Sequence, residues 1–281
     1  MIWERFHYIC RRCHETIKPG QSVNDCISII DVEPETDLYG QKYTKNSIAN
    51  HLLNTVKNLS DQPSAKKFIE FYGKQDYSTQ LNEPMHFKKV ITYLSYVILI
   101  FFILSTVYYS FVVPGFLNIL DTFELSIPAY LMFYENYWLY AILLFSILQI
   151  GLLLGYKLSQ LFKYRLNTQN SSIFKYLTHQ KIKKSYFNIL ELIYFPISGS
   201  VKNANIRTSV ISKHLRNMEN SGMDINREIQ EIMKRESLNL TRLCDRQMTF
   251  ISTLISVIVV ASIFFFLVSA YSAIFALGEI L

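Results

Sequence analysis

Cys10-Arg11-Arg12-Cys13-His14 is the run whose residue types and spacing come nearest to holding a prosthetic group. Cys-x-x-Cys-His is the pattern of covalent haem attachment, in which two thiols bond the porphyrin and the imidazole takes the iron. Cys10, Cys13 and His14 with Cys26, or with His7, also offer the donor types of a zinc site, although no second Cys pair completes the set. The competing reading is structural: Cys10 and Cys13 lie three residues apart and line one face of a helix as small buried thiols. That reading is preferred, and no metal or cofactor is expected. Cys244 stands alone. The chain shows no Gly-rich phosphate loop, no Gly-x-Ser-x-Gly turn, no His-Glu-x-x-His and no paired carboxylates in a plausible cleft, so no enzymatic activity is expected either.

The elements that would position these residues read as short amphipathic helices. Phe6, Cys10, Cys13 and Ile17 repeat every three to four residues and stop at Pro19-Gly20, after which Val23, Cys26 and Ile29-Ile30 resume the period. A polar stretch, 31–40, separates this hairpin from a second helical region at 46–72. Further along, 185–195 reads as a helix broken at Pro196-Ile197-Ser198-Gly199. A helix over 206–219 then closes at Ser221-Gly222, and a run over 224–246 is expected to continue as one long helix.

Charge is segregated along the chain. All 28 Lys and Arg fall within 1–89 (12) or 157–248 (16), and none lies in 90–156 or 249–281. A helix needs about 20 apolar residues to cross the hydrocarbon of a bilayer. Three stretches are long enough: 90–113, 138–156 and 249–277. Lys88 and Lys89 flank the first, Lys157, Lys163 and Arg165 follow the second, and Arg242 and Arg246 precede the third, so all three basic flanks share one side. By the positive-inside rule that side is cytoplasmic. Residue 10 is then placed in a reducing compartment, opposite the one where covalent haem attachment occurs. No cleavable secretory signal is visible, so the first span is expected to be retained. The net charge of +6 reads as this orientation signal, and no nucleic-acid partner is expected.

The fold expected is all-α: a polytopic membrane protein with three transmembrane helices and two small cytoplasmic helical bundles. The divisions are a cytoplasmic domain 1–87, a first span 88–113 and an outer loop 114–137 with an interfacial amphipathic helix. The second span 138–156, a cytoplasmic domain 157–248, the third span 249–277 and an outer tail 278–281 follow. In the outer loop Phe116, Ile119, Leu120 and Phe123 share a face opposite Asn118 and Asp121. Tyr130, Phe133, Tyr134, Tyr137 and Trp138 form an aromatic belt. The spans hold no ionisable side chain, and Gln149 is their one strongly polar group, which weighs against a solute pathway. Gly151-Leu-Leu-Leu-Gly155 offers two small residues where helices could approach closely, with another span or another subunit.

Several of these pieces, in this order, resemble the inner-membrane platform proteins of type II secretion and type IV pilus machines, the type II secretion system F domain family. Val112, Val113, Pro114 and Phe116 resemble that family's Val-Val-Pro-x-Phe at the outer end of its first span, and Ile127-Pro128 its hydrophobic-Pro pair. Pro196 and Gly199 resemble the Pro-x-x-Gly that opens its second cytoplasmic domain. Glu219, Ser221 and Gly222 resemble its Glu-x-Ser-Gly hairpin, with Met218 where a Gly is usual; both polar segments are shorter than the family's six-helix bundles. The resemblance implies a non-catalytic assembly platform in a bacterial inner membrane. Its partners would be a hexameric assembly ATPase, pilin or pseudopilin subunits, other inner-membrane assembly proteins, membrane lipid and further copies of itself. A small transporter or channel subunit, or a membrane-anchored signalling protein, is the alternative.

Overall fold

The computed structural model describes residues 2–40, 46–81, 84–124, 126–127, 137–168, 172–198 and 209–278. Of the described residues 85% are helical and none lies in a strand, so the class is all-α as expected. Pro128, Gly199, Glu279 and the belt residues Tyr130, Phe133 and Tyr134 lie outside the described residues.

Two units divide the chain. The first joins Met1–Pro84 with Leu158–Cys244; the second joins Met85–Lys157 with Asp245–Leu281. The two polar segments, expected as separate small bundles, fall within one compact unit. In its amino-terminal half are α1 (Ile2–Thr16), α2 (Val23–Val32), a 3-10 turn (Pro34–Tyr39), α3 (Ile48–Lys57), α4 (Gln62–Lys74) and the short α5 (Tyr77–Gln80). Ser22 caps α2, Ser47 caps α3 and Asp76 caps α5, each side chain accepting from a backbone N–H of the first turn that has no helical partner. Phe6, Ile9, Cys10 and Cys13 of α1 are buried with Ile27, Leu52 and Ile69. Each such side chain contributes roughly 1.5–3 kcal/mol by leaving water. α4 packs so closely on α1 that a Cβ added at Gly73 would meet the Arg11 backbone at 3.1 Å.

The second half of this unit supplies α9 (Ser172–Leu177), α10 (Gln180–Tyr194), α11 (Val210–Asn220) and the first part of α12 (Ile225–Gly278). Buried Ile182, Tyr186, Ile189 and Ile193 of α10 follow the helical period. The two halves are tied by backbone as well as by core: Ile48 N–H donates to Tyr164 O at 3.0 Å and Leu166 N–H to Asn46 O at 2.9 Å. Tyr72 Oη donates to Ile193 O at 2.9 Å in the buried interior.

In the second unit lie α6 (Met85–Val107), a π turn (Tyr108–Val112), α7 (Val113–Thr122), most of α8 (Tyr137–Leu161) and the remainder of α12. Among the described residues three helices are long and apolar enough to cross a membrane, His86–Thr122, Leu143–Leu161 and Ile225–Ser269, which is compatible with a multi-pass membrane protein. The first does not end at Pro114. Pro lacks the N–H that would close an α turn onto residue 110, and the backbone answers by widening: Val113 N–H reaches back to Tyr108 O. Pro114 then sits in the first turn of α7, where no N–H is needed. The expected interfacial helix is therefore continuous with the first span, and its buried residues are Val113 and Leu120. Phe123, expected on the apolar face, is exposed.

Candidate functional site

The cysteine-histidine run is split by the helix that carries it. Cys10 and Cys13 point into the core with Cys26 of α2, while His14, one residue on, faces solvent. Burial pushes the Cys10 thiol well above its ordinary range; Cys13 is raised by burial first and then by Cys26. A nucleophile or metal ligand needs the thiolate, which this surrounding disfavours. Among the described residues no group of three or more His, Cys, Asp or Glu could hold a metal ion. Cys10 and Cys13 are buried thiols on one face of α1.

His7, one turn before Cys10, has a different environment. Its Nδ1 lies 2.8 Å from Tyr72 O, and Tyr77 N–H donates to its Nε2 at 3.0 Å. A neutral ring protonated at Nδ1 satisfies both partners, joining α1 to the end of α4 and the start of α5. Burial lowers its pKa from 6.5 to about 4, against a smaller opposing effect of the Tyr72 carbonyl. Arg5, fully buried two residues earlier, is also saturated. Nη1 donates to Asp37 Oδ1 at 2.7 Å and to Gly40 O at 3.1 Å, and Nη2 donates to Asp31 O at 2.7 Å and pairs with Asp31 Oδ1 at 3.0 Å. A guanidinium in the core is tolerable only with its donors so occupied. It pins the polar 31–40 stretch onto α1. Neither role was visible in the sequence, because the partners lie 26 to 70 residues away.

The described residues that carry the family resemblance fall in both units. Val112, Val113, Pro114 and Phe116 belong to the second unit; Pro196, Glu219, Ser221 and Gly222 belong to the first. Pro196 opens no new helix but sits in a 3-10 turn that ends α10. Gly222 has φ of 68°, and its N–H donates to Glu219 O while Met223 N–H donates to Met218 O, both at 3.1 Å. That pair of bonds is a Schellman closure of α11, which calls for Gly at the left-handed position. Glu219 and Ser221 are exposed. Gly151 and Gly155 do face a neighbour: a Cβ at Gly151 would lie 3.3 Å from Ile255, and one at Gly155 3.4 Å from Met248, both on α12.

The first part of α12 is the element gripped from most sides. Asn226 Oδ1 accepts from Gln75 Nε2 at 3.1 Å, Gln230 Nε2 donates to Lys74 O at 3.2 Å, and Ser237 Oγ donates to Gln80 O. From the other flank, Ser185 Oγ of α10 donates to Glu236 Oε2 at 2.8 Å. Ile229, Met233, Leu240 and Cys244 form its buried stripe. Its outer face, Glu231, Lys234, Arg235, Leu238, Asn239 and Arg242, lines a shallow charged groove. No nucleophile with an adjacent base occurs there. No family model matches the chain, nor does any curated protein or solved structure. The geometry of this clamped, half-exposed helix is what a functional reading has to explain.

Proposed function

We propose that the protein is a non-catalytic membrane assembly platform of the type II secretion or type IV pilus kind. In this reading a cytoplasmic helical unit takes a push from a hexameric ATPase, and the membrane helices pass it to a pilin or pseudopilin subunit. The observation that carries the reading is α12: 54 residues run as one helix, the first part clamped in the polar unit and the rest in the apolar one. An uninterrupted hydrogen-bonded ladder at 1.5 Å per residue resists compression along its axis, so displacement at one end reaches the other. A transporter would need polar side chains at mid-span, and the spans offer Gln149 alone among strongly polar groups. The exposed face of α12, with Lys234, Arg235 and Arg242 around Leu238, is the surface proposed to meet the ATPase.

Co-purification of the tagged full chain from its native membranes, read by mass spectrometry, tests this. Recovery of a secretion-type ATPase and a pilin-like protein is expected. Combined Lys234→Glu and Arg235→Glu should reduce the ATPase several-fold relative to the pilin-like protein. Recovery of solute-binding or signalling proteins with neither partner would refute the platform reading.

A further inference from the structure

All three membrane-length helices reach their polar ends at one level of the second unit. At Gly155 of α8 a Cβ would lie 3.4 Å from the Met248 side chain of α12 and 3.8 Å from the Ile91 side chain of α6, so the three helices meet there. Lys88 precedes Ile91 by three residues, Lys157 follows Gly155 by two, and Arg246 precedes Met248 by two. At 1.5 Å per residue each of these cations lies within about 5 Å, along its helix, of that meeting level, and all are displaced toward the same end. Lys89 joins them. Lys88, Lys89 and Arg246 are exposed and Lys157 is half-buried. Asp245, beside Arg246 on α12, is engaged by His86 Nε2 at 2.6 Å. At the opposite end of the same unit the charged side chains among the described residues are Asp121 and Glu124, with no Lys or Arg.

Immediately on the apolar side of this collar, large side chains are turned outward on every helix. Tyr93 is 62% exposed, Tyr96 62%, Tyr156 51% and Phe250 67%. A soluble anion could use the cations but would leave these rings in water. An amphiphile with a phosphate head and acyl chains uses both, the phosphate accepting from the ammonium and guanidinium groups and the chains covering the rings.

We propose that Lys88, Lys89, Lys157 and Arg246 form a collar that binds anionic phospholipid headgroups around the polar end of the three helices. The collar requires only that the second unit sits in a bilayer, and it is independent of the assembly-platform reading. Each cation near an anionic headgroup strengthens binding roughly fivefold, so preference for anionic over zwitterionic lipid should be large and sensitive to salt.

Native mass spectrometry of the full detergent-solubilised chain, titrated with dioleoyl phosphatidylglycerol or dioleoyl phosphatidylcholine, reads this directly. Phosphatidylglycerol should bind at least about 25-fold more tightly, two cations' worth. Combined Lys88→Gln, Lys89→Gln, Lys157→Gln and Arg246→Gln should abolish the preference while phosphatidylcholine binding persists, which shows the unit still folded. Should the combined variant not fold, the four single variants are read instead, each expected to lower the preference. The exchange Lys88→Arg, Lys89→Arg, Lys157→Arg and Arg246→Lys should keep it. Equal affinity for the two lipids, or a preference that survives all the neutral variants, overturns the collar. Loss of the preference in excess inorganic phosphate would assign a soluble-anion site and overturn the lipid assignment.

Discussion

His7 shows how a single side chain can be committed by its partners. With Nδ1 against Tyr72 O and Nε2 accepting from Tyr77 N–H, protonation would turn an acceptor into a donor facing a donor. Its folded pKa of about 4 lies below the unfolded 6.5. Between those values the unfolded chain takes up a proton that the folded chain refuses, so stability is full above about pH 6.5 and declines as pH falls toward 4. At 1.36 kcal/mol per tenfold the amount is about 3 kcal/mol. His7→Gln keeps a donor and an acceptor but does not titrate. Its thermal midpoint should therefore fall less steeply than that of the wild type between pH 7 and pH 4.5. Superimposable pH profiles would show that His7 does not carry this dependence.

Among the elements, the pairing of α8 with α12, like that of α4 with α1 at Gly73, is set by absence of side chains. Gly151 and Gly155 let Ile255 and Met248 come within contact of the α8 backbone, and Ile251 lies 3.6 Å from the Cβ position of Gly151. A leucine at 151 would have to occupy the space of Ile255. Gly151→Leu is expected to destabilise the unit by about 1–3 kcal/mol, as overpacking does, and Ile255→Ala should restore part of the loss. Thermal melts of the two single variants and the double variant in one detergent check this, and strict additivity would place the contact elsewhere. Pro114 acts by a different route. Its missing N–H is absorbed by the π turn over Tyr108–Val112, and the widened turn is held from α12, where Tyr108 Oη donates to Phe266 O at 3.2 Å and the two rings stack at 4.9 Å.

At the scale of the whole molecule, the union of 1–84 with 158–244 decides what unfolds with what. Tyr72, fully buried on α4, bonds to Ile193, 121 residues away. Tyr72→Ala removes that bond and leaves a cavity, and should destabilise the unit by about 3–5 kcal/mol. Hydrogen exchange should then rise in both segments, since they form one cooperative body. A rise confined to 1–84 would show two independent bundles, the arrangement expected from the sequence.

By itself the sequence determined the helical class, the amphipathic periods and the three apolar stretches, because these depend on residues within a few turns of one another. Pro19-Gly20 and Ser221-Gly222 marked their helix ends for the same reason, and the run after Asp224 was legible as one helix continuing into the third span. The buried face of Cys10 and Cys13 was legible from their spacing, but tertiary structure alone decided that Cys26 of α2 shares their core while His14 stays in solvent. It also determined that Arg5 finds Asp31 and Asp37, that Gly73 admits the α1 backbone and that Pro114 does not stop its helix. Those outcomes depend on which surfaces meet across tens of residues. A pattern of period 3.6 fixes the face a residue occupies but not the element that will cover it.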